Sequence, residues 1–166
     1  RPLVPKELIP PAPALPPQEA LKTFHLAPGF RLELVAAEPL VEEPIAMQFD
    51  PDGRIWVLEM RGYMNDISGG GEDQPVGRVS ILSDRDGDGC MDQRTTFADG
   101  LIMPRALCLV GDGALVGVPP QLHFMRDTDG DGKADRSEEV LASFGLAAST
   151  TKGGFAYHPA RGPNNP

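Results

Sequence analysis

Cysteine, histidine and basic residues are all scarce in this sequence, and each shortage removes a class of function. The only cysteines are Cys90 and Cys108, and no Cys-x-x-Cys-His occurs, so no haem is attached covalently to this stretch. The pair could bridge in an oxidising compartment, but the reading favoured here is two reduced thiols, one of them buried. His25, His123 and His158 stand apart from one another and from the cysteines, which leaves no zinc ligand set. The 15 Lys and Arg residues form no basic patch or stripe, so nucleic acid is not an expected partner. No apolar run is long enough for a membrane span, and no signal peptide stands at Arg1.

What the chain has instead is acid, glycine and proline. It carries 24 acidic residues, a net charge of −9, 19 Gly and 18 Pro in 166 residues, the composition of a β-rich, turn-rich exported protein. Eight of those acidic residues sit in two copies of one loop, 43 residues apart, and Glu138 just beyond the second makes a ninth. The first reads Asp84-Arg85-Asp86-Gly87-Asp88-Gly89-Cys90-Met91-Asp92 and the second Asp127-Thr128-Asp129-Gly130-Asp131-Gly132-Lys133-Ala134-Asp135. Carboxylates at positions 1, 3, 5 and 9, a backbone carbonyl at position 7 (Cys90, Lys133) and glycine at 6 match the spacing that wraps oxygen around Ca²⁺. Position 12 is Glu138 in the second copy, where a bidentate ligand is expected, but Thr95 in the first. Carboxylates this crowded repel one another unless a cation neutralises them, and two Ca²⁺ would cancel about four of the charges. The competing reading is that Asp and Gly are simply turn formers.

The flanks decide what kind of loop this is. Arg78-Val79-Ser80-Ile81-Leu82 and Gln121-Leu122-His123-Phe124-Met125 enter the loops with strand-like alternation, so the loops are predicted at β-hairpin tips and not between EF-hand helices. A second repeat lies upstream at an offset of 60: Pro44-Ile45-Ala46-Met47-Gln48-Phe49, Asp52-Gly53, Ile55-Trp56-Val57 against Pro104-Arg105-Ala106-Leu107-Cys108-Leu109, Asp112-Gly113, Leu115-Val116-Gly117. The two offsets differ by 17, which one insert, residues 61–77, accounts for. The unit is thus 43 residues of strand, turn, strand, connection, strand, acidic loop, strand, the length of a β-propeller blade.

The predicted fold is all-β: a β-propeller fragment of about two blades with calcium-binding hairpin loops. Residues 1–17 read as a Pro-rich linker, 18–146 as a partial propeller with blades near 40–100 and 101–144, and 147–166 as a divergent or truncated tail. Residues 17–24 can form a short helix, and Phe30, Leu32, Leu34 and Ala36 alternate as a strand. Trp56 reads as core. In the insert, Arg61, Tyr63, Asn65, Asp66, Glu72 and Asp73 are the polar groups of a Gly-rich loop, and Arg61, Tyr63 and Asp66 are the pocket candidates, set against a plain solvated loop.

Several ordered motifs carry a family resemblance: Phe24-His25-Leu26-Ala27-Pro28-Gly29-Phe30, Val35-Ala36-Ala37-Glu38-Pro39-Leu40, Phe49-Asp50-Pro51-Asp52-Gly53-Arg54-Ile55-Trp56-Val57, Glu59-Met60-Arg61-Gly62-Tyr63-Met64 and Phe97-Ala98-Asp99-Gly100-Leu101. Together they resemble the N-terminal propeller of bacterial "membrane-bound dehydrogenase" proteins, the haem-binding type common in planctomycetes and verrucomicrobia. The resemblance implies kinship with quinoprotein glucose and sorbosone dehydrogenases and a periplasmic or extracellular location, with the export signal upstream. It further implies oxidation of a sugar or alcohol, with pyrroloquinoline quinone as cofactor. Electrons would pass to a c-type cytochrome domain, and haem c would lie only in that downstream domain. No catalytic base or quinone contact is matched to a residue of this chain. The alternative is a calcium-stabilised propeller without redox chemistry that binds polysaccharide or protein.

Overall fold

Strands form where apolar and polar side chains alternate and a neighbouring strand lies alongside. The computed structural model describes residues 13–66 and 68–142; the tail from 147 and most of the Pro-rich start lie outside the described residues. A short helix, α1 (Pro17–Leu21), is followed by β1 (Pro44–Phe49), β2 (Ile55–Glu59), β3 (Gly77–Ser83), β4 (Gln93–Leu101), β5 (Ala106–Val110), β6 (Gly113–Val118), β7 (Gln121–Arg126) and β8 (Arg136–Leu141). The strands make two four-stranded sheets in the orders β1-β2-β3-β4 and β5-β6-β7-β8, every pairing antiparallel. Each sheet is a meander of consecutive strands, the build of a propeller blade.

The described residues from 13 to 35 belong to a compact unit of their own. Here α1 begins with a proline in its first turn, where the absent N–H leaves no helical bond unmade. The strand predicted over residues 30–36 does not form. Alternation decides which face a strand would bury, but a strand exists only within a ladder, and Phe30 stays 75% exposed.

The 43-residue repeat is visible in the ladders. Leu82 pairs with Ile55, and its counterpart Met125 pairs with Ala114; Ser80 pairs with Val57, and His123 with Val116. The structural counterpart of Ile55 is therefore Ala114 and not Leu115, a correction of one residue to the repeat read from sequence. Its cause is the turn: five residues separate the paired Phe49 and Ile55, but only four separate Leu109 and Ala114. Even a β-bulge recurs. Val79 pairs with Ala98 and Ser80 with Thr96, skipping Phe97, just as Leu122 pairs with Leu141 and His123 with Glu139, skipping Val140.

The main core lies between the sheets. Trp56, Leu58, Val79, Ile81 and Phe97 of the first sheet bury against Leu107, Ala114, Val116 and Met125 of the second. As expected Trp56 is core: its ring meets that of Phe97 edge-on at 4.6 Å, and its Nε1 donates to Asp50 at 3.0 Å. Two polar contacts cross the interface or its rim: the Leu109 N–H donates to Gln48 Oε1 at 2.7 Å, and the Ala134 N–H donates to the Phe97 carbonyl at 2.7 Å. On the opposite face of the first sheet Ile55, Val57 and Leu82 are covered by Val41, Leu40, Ala36 and Met91.

Gly77 opens β3 where the chain returns from the insert, and a Cβ there would lie 2.6 Å from Pro104 Cδ and 2.8 Å from the Leu101 carbonyl. Gly77→Ala is therefore expected to cost about 1–3 kcal/mol through overpacking, measured as a lower denaturation midpoint at unchanged slope.

Candidate metal centres and a charged cleft

Both acidic loops stand at hairpin tips, between β3 and β4 and between β7 and β8. Their geometry follows from short side chains satisfying their own backbone. The Asp84 carboxylate accepts N–H bonds from Gly87 at 2.7 Å and Gly89 at 2.8 Å, and Asp127 accepts from Gly130 and Gly132 at the same distances. Asp88 accepts from Cys90 N–H and Asp131 from Lys133 N–H. The glycines at positions 4 and 6 sit at φ of 78° and 92° in the first loop and 83° and 87° in the second, a backbone that glycine adopts without strain.

The result is a convergence of carboxylates. One oxygen each from Asp84, Asp86 and Asp88 lie within 4.8 Å of one another, and the same holds for Asp127, Asp129 and Asp131. The other expected ligands are placed differently. Asp92 accepts the Arg85 N–H, Asp135 accepts the N–H and hydroxyl of Thr128, and Glu138 lies on β8 with its carboxylate 3.4 Å from Arg126. Cys90 and Lys133 keep their position-7 carbonyls in the loops, but neither residue belongs to the convergent groups. Amide donors, that of Gly89 first, hold Asp84 below the usual carboxylate range, and those of Gly132 and Gly130 act likewise on Asp127. The Thr128 hydroxyl does the same for Asp135. Desolvation and the charge of Asp88 push the Cys90 thiol up, so its side chain is not a thiolate at neutral pH. The two cysteines form no disulfide.

The insert forms one wall of a cleft of about 490 Å³ lined by Glu38, Glu42, Glu43, Arg61, Asn65, Gly71, Gln74 and Val76. Of the predicted pocket residues only Arg61 lines it; Asn65 joins it, while Tyr63 and Asp66 do not. Asp66 accepts the N–H groups of Ser68 and Gly70 and so shapes the loop, and the Tyr63 ring lies 6.0 Å from the Arg105 guanidinium. Arg61 is itself engaged, donating to the Val76 carbonyl at 2.8 Å and to Glu42 at 3.1 Å.

Beneath the cleft lies a buried ion pair that sequence reasoning missed. Glu59, fully buried, accepts from Arg78 Nε at 2.6 Å and Nη2 at 2.8 Å, from the Glu42 N–H at 2.6 Å and from the Ser80 hydroxyl. Arg78 also reaches Glu42 at 3.2 Å. The available signal was a glutamate closing the otherwise apolar strand Ile55-Trp56-Val57-Leu58-Glu59, every residue of which is buried. Burial pushes the Glu59 pKa up, but the bonds from Arg78, Ser80 and the Glu42 amide outweigh it and leave a net depression.

A depressed folded pKa makes Glu59 stabilising above its unfolded value, with that contribution lost as pH falls through the folded one. Glu59→Gln is expected to cost about 3 kcal/mol at neutral pH, because Arg78 stays buried with its main counter-charge gone. The variant should also show a shallower loss of stability below about pH 4.3 than the parent, measured by urea titration across pH.

Residues 16–157 match the model of a family described as a domain of unknown function (DUF7133). No curated protein and no solved structure matches this chain. With most of its 166 residues inside that match, the chain belongs to the DUF7133 family.

Proposed function

We propose that the two acidic loops bind Ca²⁺ and staple the outer hairpins of a propeller-type module. The observation that carries this reading is the triple convergence of carboxylate oxygens within 4.8 Å at both hairpin tips. Ligands on opposite sides of one Ca²⁺, each at about 2.3–2.6 Å, span that same distance. The remaining ligands would be the position-7 carbonyls of Cys90 and Lys133 and water, with Asp92, Asp135 and Glu138 recruited by side-chain rotation. The role is structural: strands flank the loops, so there is no helix pair for the ion to open.

The wider reading is that the chain is part of an exported, calcium-stabilised propeller dehydrogenase, oxidising a sugar or alcohol and passing electrons to a c-type haem domain. Its support is the order of the resembling motifs together with two repeated meander sheets. The second reading, a binding module for polysaccharide or protein, is favoured by the cleft beside the insert, whose lining mixes carboxylate, amide and guanidinium side chains with apolar surface in about equal parts. Substrate-dependent dye reduction by the protein loaded with Ca²⁺ and pyrroloquinoline quinone supports the first; retention on polysaccharide without turnover supports the second.

Asp131→Ala is expected to lower the melting temperature in Ca²⁺ and to have much less effect in chelator, because ligand-linked stability depends on occupancy. Equal losses in both media would mean that Asp131 acts only through its bond to the Lys133 amide.

A further inference from the structure

The later half of the second acidic loop meets two surfaces at once. From Asp131 to Asp135 burial alternates: Asp131, Lys133 and Asp135 are exposed, whereas Gly132 and Ala134 are half-buried. The exposed residues carry the oxygens offered to a cation, the Asp131 carboxylate among the convergent group and the Lys133 carbonyl at position 7. The half-buried residues meet the first sheet. A Cβ on Gly132 would lie 2.9 Å from Thr95 Cγ2, the Ala134 N–H donates to the Phe97 carbonyl at 2.7 Å, and the Ala134 side chain packs on the core between the sheets. Ligand and docking residues alternate along this stretch, so fixing one set restricts the other.

Thr95 has a place in both loops. It stands at position 12 of the first loop, where a carboxylate would complete an ion's shell, yet its methyl group is what Gly132 of the second loop rests against. The first loop makes a different contact. Its Met91, the repeat counterpart of Ala134, packs on the cluster of Val41, Ile55, Val57 and Leu82, which involves the first sheet and residues 36–41 but not the second sheet.

We propose that, on the calcium reading above, Ca²⁺ at the second loop locks the two sheets together, while Ca²⁺ at the first loop does not. Holding the Asp131 carboxylate and the Lys133 carbonyl on the ion keeps Gly132 against Thr95 and the Ala134 amide on the Phe97 carbonyl. The coupling runs both ways, because an ion that favours the docked loop is bound more tightly by it. Two loops of nearly the same sequence thus have unequal roles, one ion acting between sheets and the other on the first sheet and the segment that covers it.

The test is amide hydrogen exchange at Ala134 in the full chain, in Ca²⁺ and in chelator, with calorimetry of Ca²⁺ binding alongside. Asp129→Asn/Asp131→Asn disables the second loop and Asp86→Asn/Asp88→Asn the first, and circular dichroism checks that each variant remains folded. In the parent and in the first-loop variant, Ca²⁺ is expected to slow exchange at Ala134 by about tenfold or more, since a locally opening contact exchanges according to its own stability. In the second-loop variant that slowing is expected to vanish, although the first loop still binds. Ca²⁺ bound at the second loop of the parent with no change at Ala134 overturns the proposal and leaves the calcium reading intact. No binding at that loop removes the calcium reading there and the proposal with it. Slowing that survives in the second-loop variant also overturns the proposal, because the ion would then act through the first loop.

Discussion

Each sheet here has two apolar faces and cannot bury either alone, and this constraint organises the rest of the chain. The contact of Trp56 and Phe97 with Leu107, Val116 and Met125 removes one face of each sheet from water. Once that contact exists, the loop after β7 is drawn against β4, so that the Ala134 amide reaches the Phe97 carbonyl and Gly132 comes close to Thr95. The segment at residues 36–41 plays the corresponding part on the first sheet's other face, where Met91, the repeat counterpart of Ala134, packs with Val41 and Leu40. One packing rule is thus applied twice, once between two sheets and once between a sheet and a segment of chain.

Charge is placed on the same frame in two distinct ways. At the hairpin tips the carboxylates are exposed or half-exposed, held by backbone amides and brought close to one another. Under the cleft the carboxylate of Glu59 is fully buried and fixed by a two-pronged bond to Arg78. A buried pair of this kind gains its value from complete hydrogen bonding, which Ser80 and the Glu42 amide supply. Among the described residues no buried side-chain polar atom lacks a hydrogen-bond partner.

Much of this was legible in the sequence because it is local. The two loops declare themselves through Asp and Gly at fixed offsets, and the hairpins through alternation on either side, so the all-β architecture of two repeated sheets follows. Where the outcome depended on a neighbour, sequence reasoning went astray. The alternation of Phe30, Leu32 and Leu34 promised a strand that does not form, and one residue fewer in a turn moved the repeat counterpart of Ile55 from Leu115 to Ala114. Tyr63 and Asp66 looked like pocket residues by composition, whereas the fold turns one toward Arg105 and uses the other to hold its own loop.

By itself the sequence determined the period of the repeat and the position of the acidic loops at hairpin tips, because each of these is set by spacing within a few residues. Only the tertiary structure decided which oxygens converge, that Glu59 and Arg78 meet 19 positions apart beneath a cleft, and that Glu138 lies beside Arg126 on the strand and not among the loop carboxylates. Those outcomes depend on strand register and on how closely two sheets approach, and both are properties of the packed chain that no short stretch of it contains.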